Sequence, residues 1–205
     1  GEIGQELLDE ISKNNLVALA WSENGFRHVT NSQRAVRTPE DLAGLKLRTM
    51  ENKVHMAAFE GMGAAPTPMA FPELFSALQQ GVVDGQENPV TVITASKFWE
   101  VQKYVSLTGH VYSPAAVLAS PVLLDGLTEE QRGWFAEAAK ASAAATRAEV
   151  NRLEEAGVAL LRENGMEVIT DIDKAPFAAL AEEASYSVYT DQYGGEMIER
   201  IKAVE

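Results

Sequence analysis

Residues 44–89 read GLKLRTMENKVHMAAFEGMGAAPTPMAFPELFSALQQGVVDGQENP, and their order of apolar, polar and breaker residues decides the fold class. In Leu45-Lys46-Leu47-Arg48 apolar and basic residues alternate, as in a half-buried strand, with Arg48 at its end. Val54, Ala57, Ala58 and Met62 then keep a near-helical spacing that Gly63 can close. Residues 64–69 carry two prolines and are expected to be extended. Phe71-Pro72 suits a first helical turn, and the helix should bury Leu74, Phe75 and Leu78 before Gly81 stops it. Val82-Val83 is expected to start another strand, with residues 84–88 as a polar turn. Strand, helix, strand, helix, strand is a βαβ pattern, which predicts an α/β fold with a parallel sheet. Ligands of such sheets bind beyond the carboxyl ends of the strands, where Arg48 and Asn88 are expected to fall.

The flanks extend this pattern. Ile3, Leu7, Leu8 and Ile11 predict a helix ended by Asn14-Asn15, and residues 16–21 a buried strand. Gly25 is expected to turn the chain into a second extended run, residues 26–30. Thr38-Pro39-Glu40-Asp41 has an N-cap, a proline and first-turn acids, the signature of a helix start. Residues 93–101 predict a helix, and residues 104–108 and 115–119 two separate strands. Thr128-Glu129-Glu130-Gln131 fits a capping box, and the chain lacks proline from there to Asn164. That predicts one long helix, or two in line, stopped by Gly165, with Gly157 as a weak point. Residues 166–170 predict a strand, and Asp173 can cap a helix that holds Phe177, Leu180 and Ala184.

Composition narrows the function classes. A formal charge of −13 argues against nucleic acid, whose phosphates need a basic face. It leaves room for a small anion, since one local arginine outweighs a distant acidic surface. The absence of cysteine excludes disulfides, thiolate catalysis and cysteine–zinc sites, and leaves the compartment open. No apolar run approaches the roughly 18 residues that span a bilayer. His28, His55 and His110 have no metal-ligand spacing and read as surface or core-edge residues, with a ligand-facing role left open for His55 close after Arg48, so no metal or cofactor is expected. No Gly-Lys-Ser/Thr loop and no Gly-x-Ser-x-Gly elbow is present, and no acid, base and nucleophile converge in the sequence.

Four residues stand out as ligand candidates. The Arg48 guanidinium could hold a carboxylate through two parallel hydrogen bonds, or pair with Glu51 or Asp84. The Asn88 amide could donate to a carboxylate and accept from a hydroxyl, or serve only as a turn residue before Pro89. Gln86 and Glu87 could hold that loop together. Arg27 could meet the ligand's far end or an acidic side chain, and Phe71 could lie on the ligand or in the core.

The segments GLKLR, GAAPTPMAFPELFSALQQGVVDGQENP and KFWEVQKYVSLTGHVYSP resemble the solute-binding subunit of tripartite ATP-independent periplasmic (TRAP) transporters, the DctP family. The likeness covers nearly the whole chain and is most specific between Pro66 and Tyr104. It implies a periplasmic binding protein of type II, two interleaved lobes and a long bracing helix. Residues 1–24 would be the tail of a first-lobe segment, residues 25–113 the ligand-binding second lobe, residues 114–153 a return to the first lobe with the long helix, and residues 154–205 the close of the second lobe. Arg48 would be the carboxylate anchor of the family's Gly-Leu-Lys-hydrophobic-Arg motif. Asn88 fills the asparagine of Gln-Glu-Asn-Pro, and Arg27 and Phe71 match positions near the ligand. The implied function is non-catalytic capture of a C4-dicarboxylate, sugar acid or similar organic acid, with delivery to TRAP membrane subunits. A ligand-sensing domain of the same fold and an α/β enzyme are the rivals. Members of the family begin with a secreted leader and a βα portion, which the chain from Gly1 is expected to lack, leaving its first lobe incomplete. Apolar residues of 114–124 and of the long helix should then be exposed or covered by another chain.

Overall fold

The computed structural model describes residues 1–204. Six strands, β1 (Val17–Asn31), β2 (Lys46–Thr49), β3 (Ala65–Pro68), β4 (Gly85–Pro89), β5 (Tyr104–Ala119) and β6 (Glu167–Ile169), form one sheet in the order β3-β2-β4-β1-β5-β6. β2 pairs in parallel with β3 and β4, as the βαβ pattern predicts. β1 runs antiparallel to β4, so the sheet is mixed. The helices are α1 (Glu2–Ser12), α2 (Lys53–Gly61), α3 (Phe71–Gln79), α4 (Val90–Ala95), α5 (Pro121–Asp125), α6 (Glu129–Glu163), α7 (Ala175–Tyr193) and α8 (Glu196–Lys202). None of them is long and apolar enough to cross a membrane.

The chain divides into two compact units. One comprises Gly1–Gly25 and Ser113–Glu154, the other Phe26–Tyr112 and the chain from Glu155 onward. The second unit holds residues 44–89 and has two apolar clusters. Leu74, Leu78, Val90, Ile93, Phe98, Val105 and Leu161 make one; Val29, Leu42, Leu45, Leu47, Phe59 and Phe177 make the other. Helix α2 meets α7 so closely that a β-carbon on Gly61 would lie 2.4 Å from that of Ala184. The first unit has a smaller cluster around Ala20, Ala139 and Ala143. Its apolar side chains Leu118, Val122, Leu123, Trp134 and Phe135 are exposed, as expected for residues 114–124 and the long helix.

Four local expectations are corrected. Gly25 does not turn the chain: at a φ of +117° it bends β1, which runs through it as one strand. Residues 104–119 likewise form one strand, with Gly109 at a φ of +54° inside it. The helix expected over residues 93–101 is instead α4, followed by a short 3-10 turn at Phe98–Glu100, because Lys97 takes a left-handed conformation between them. Residues 84–88 are not a turn. Gly85–Pro89 is the buried strand β4, and Val82, expected to begin it, is exposed. α6 is continuous over 35 residues. Gly157 within it is a site of close approach, since a β-carbon there would lie 2.5 Å from Val90 Cγ1.

Candidate functional site

Strand alternation places Arg48. Leu47 enters the cluster around Phe59, so Arg48 points to the other face of β2. Its side chain is buried, yet no carboxylate among the described residues lies within ion-pair range. Nε and Nη2 instead donate to the carbonyl oxygen of Met69 at 2.9 and 2.7 Å. This occupies one edge of the guanidinium. The terminal Nη1/Nη2 edge keeps its outward N–H groups, the fork that grips a carboxylate end-on. Burial lowers the Arg48 pKa, the nearby Glu87 raises it and Arg27 lowers it again, and the group stays cationic. The Phe71 ring opens α3 from an exposed position, with its centroid 5.8 Å from Arg48 Cζ.

β4 lies between β2 and β1, and Gln86 is the register partner of Arg48. Its polar residues are buried because they satisfy one another. Arg27 can only donate, and its Nη2 reaches Asn88 Oδ1 at 3.0 Å. That fixes the Asn88 amide with its NH₂ turned away from Arg27, donating to Gln86 Oε1. Gln86 Nε2 then donates to Thr30 Oγ1 at 3.0 Å, and Thr30 Oγ1 to Gln102 Oε1 at 2.8 Å. Gln102 Nε2 ends the chain on Ser32 Oγ and the Val101 carbonyl. Every amide thus has a single orientation, and Asn88 spends its acceptor on Arg27 and one of its two N–H groups on Gln86.

Glu87, which the sequence offered only as a residue that could hold its loop together, joins Arg27 to two histidines. It is fully buried and faces Arg27, whose Nε lies 2.6 Å from Oε2 and Nη2 2.8 Å from Oε1. His110 Nε2 is 3.1 Å from Oε2, and His55 Nε2 is 3.2 Å from Oε1, off the line of a hydrogen bond. Burial works to raise the Glu87 pKa, but His110, His55 and Arg27 outweigh it and hold the carboxyl well below the usual range. Burial lowers the pKa of His110, against the pull of Glu87. His55 and His110 are therefore partners of a buried carboxylate at the edge of the core, while His28 is buried and is not a surface residue. The available signal was the surplus of polar residues, Gln86-Glu87-Asn88, directly before an apolar helix.

Arg27, Asn88 and Glu87 are brought together, and Arg48 stands on the neighbouring strand beside Phe71. Arg27 is committed to Glu87 and Asn88, as its second reading had it. A separate cavity of about 810 Å³ lies along α2 and α7, with His55, Phe59, His110, Tyr186 and Tyr189 among its walls. None of Arg27, Arg48, Phe71 and Asn88 lines it.

The chain matches the family described as bacterial extracellular solute-binding protein, family 7, over residues 1–192. A solute-binding protein of Verminephrobacter eiseniae is 51% identical over 205 residues, all of this chain and 61% of the relative. The 2,3-diketo-L-gulonate-binding periplasmic protein of Escherichia coli is 39% identical over 178 residues, which cover 87% of this chain and 54% of that protein. The crystal structure of a TRAP periplasmic solute-binding protein of Polaromonas sp. JS666, bound to D-erythronate, superimposes with a TM-score of 0.95 at 50% identity, covering 100% of this chain and 67% of that one. The chain thus spans about three-fifths of the length of such curated relatives, at 61% of one and 54% of another. With a match over residues 1–192, it belongs to the extracellular solute-binding proteins of family 7, the DctP family.

Proposed function

We propose that this chain is part of a periplasmic solute-binding protein that captures a carboxylate-bearing small molecule and delivers it to a TRAP membrane permease. One observation carries this reading: Arg48 is buried, held by the Met69 carbonyl, and unpaired at its terminal edge. A buried cation without a counter-charge is costly, and a ligand carboxylate would relieve that cost. Asn88, through its remaining N–H, and the exposed Phe71 ring join Arg48 as ligand contacts. Arg27 acts one step back, through Asn88. The relatives of known ligand point the same way: one is named for 2,3-diketo-L-gulonate and another holds D-erythronate. Residues 25–113 and 154–205 are proposed as the ligand-binding lobe, and residues 1–24 and 114–153 as parts of the other. The protein does no chemistry on its ligand.

A thermal-shift screen of small organic acids on the complete gene product tests this. A ligand that binds only the native state raises the melting temperature with concentration. Sugar acids or other carboxylates should do so, and their uncharged alcohols should not. A screen in which no carboxylate shifts the melt would refute the reading.

A further inference from the structure

Asn88 closes the polar run of β4, and two residues later the chain enters α4. Val90-Thr91-Val92-Ile93-Thr94, all β-branched, make up nearly the whole of this six-residue helix. Such side chains lose χ1 freedom in a helix, and a helix this short is marginal by itself. Pro89 at its N-cap gives it no side-chain hydrogen bond. The first turn of α4 is therefore fixed by packing, and α6 supplies that packing. Leu161 of α6 lies in the same buried cluster as Val90 and Ile93. One turn earlier, a β-carbon on Gly157 would lie 2.5 Å from Val90 Cγ1 and 3.3 Å from Thr94 Cγ2. Carbons in ordinary contact are about 3.5–4.0 Å apart, so the first distance falls short by about 1 Å. Neither methyl group can yield easily. Val90 is almost fully buried, and the Thr94 hydroxyl is held by the Val90 and Thr91 carbonyl oxygens at 2.9 and 3.0 Å.

We propose that Gly157 is a positioning residue for the ligand site: having no side chain, it lets α6 seat Val90, and through Val90 it sets the place from which the Asn88 amide meets a bound acid. This rests on the reading of Asn88 as a ligand contact. The lever between them is short and stiff. Only Pro89 separates Val90 from Asn88, and its ring locks φ, here at −62°. A shift of the first turn of α4 is therefore passed on to Asn88 and not absorbed on the way. Groups that bind a ligand must be held within about 0.5 Å of their productive place, so a displacement of the size a β-carbon at residue 157 demands is enough to misplace the amide.

The test is titration calorimetry on the complete gene product, beside a melt of each variant. The probe is D-erythronate, the acid held by the Polaromonas relative, or in its place an acid from the thermal-shift screen that binds the wild type. Gly157→Ala should lower affinity at least about tenfold. Adding Val90→Ala moves one methyl group across the joint and should restore affinity to within about threefold of the wild type. In an Asn88→Ala background, Gly157→Ala should cost less than about threefold more, because the group it displaces is already gone. Gly133→Ala is the control. That glycine of α6 has open space around it, so the change should stabilise the protein and leave affinity alone. Wild-type affinity in a folded Gly157→Ala, a loss that Val90→Ala does not repair, or an undiminished loss on top of Asn88→Ala would each overturn the proposal and leave the solute-binding reading intact. Should Gly157→Ala not fold, Val90→Ile presses the same joint with one added carbon and should lower affinity at least about threefold. Wild-type affinity in Val90→Ile, or unfolding of both variants, would make the contact purely structural and overturn the proposal as well. A wild-type protein that binds no acid would remove the solute-binding reading and this inference with it.

Discussion

Arg48 and Met69 are joined by two hydrogen bonds to one oxygen, from Nε at 2.9 Å and from Nη2 at 2.7 Å. The arginine is thereby fastened on its side edge while its end stays open. Arg48→Lys would keep the charge and lose the fork. Hydrogen bonds to charged groups contribute about 1.5–3 kcal/mol each, so ligand affinity should fall at least roughly tenfold. Arg48→Ala should cost more, since it also removes the charge opposite the carboxylate. Without ligand, the alanine variant should lose about 1–3 kcal/mol of stability from the abandoned Met69 carbonyl and stay folded. Calorimetry with a binding acid, beside a melt of the apo variants, measures both. Wild-type affinity in Arg48→Ala would place the anchor elsewhere.

Asn88→Asp tests the direction of the hydrogen-bond chain. The new carboxylate still accepts from Arg27 but no longer donates to Gln86 or to a ligand. It places like charge beside the anion that Arg48 would hold. Affinity should fall by more than in Asn88→Ala, although the aspartate is closer in shape. The reverse ranking in a titration would contradict the orientation of Asn88.

Glu87 is expected to matter for stability before it matters for binding. Glu87→Ala leaves Arg27 buried without its counter-charge, and breaking a buried pair in this way costs about 3–5 kcal/mol. Urea denaturation should show a loss of that size. A change below about 1 kcal/mol would show that water reaches Arg27.

Acid sensitivity should begin with histidine. His28 is buried, with its Nδ1 accepting the Gly109 N–H at 3.0 Å. Burial first, then the positive charges of His110 and Lys174, push its pKa down from 6.5 to about 3. Between those values the unfolded chain takes up a proton that the folded chain refuses, so stability falls as the pH drops through 6.5. His110 adds to the same slope, while the depressed Glu87 contributes only below the ordinary carboxylate range. His28→Gln keeps an acceptor for Gly109 and should flatten the slope between about pH 6.5 and 5 by close to one proton. Urea midpoints across that window would reveal an unchanged slope if His28 is already solvated.

The strand that carries Arg48 was legible because Leu-Lys-Leu-Arg alternates, and α3 because Phe-Pro opens it and Gly81 closes it. β1 and β5 were each read as two pieces, the first because Gly25 looks like a turn when only the sequence is in hand; Gly25 and Gly109 both take a positive φ. They are bends within continuous strands, and the partner strands that keep them extended lie far off in sequence. β4 was hidden for a different reason. Gln-Glu-Asn-Pro has the composition of a surface loop, and Arg27, Thr30, Gln102 and His110 on other segments satisfy it once it is buried. The proposed anchor, Arg48, was therefore visible as a local pattern, whereas the buried network beside it was spread over residues 27–110 and had none.

The Met69 carbonyl has a further consequence, for the entropy of capture. An arginine side chain that must be frozen by its ligand costs about 0.5–1.5 kcal/mol of binding free energy. Here the backbone has already stilled the guanidinium, and that ordering was completed when the protein folded. If Arg48 is the anchor proposed above, it would meet an arriving carboxylate as a rigid socket, and the contact should form with little loss of motion in the protein. Substituting Met69 would not reproduce or remove this effect, because the fastening oxygen belongs to the main chain.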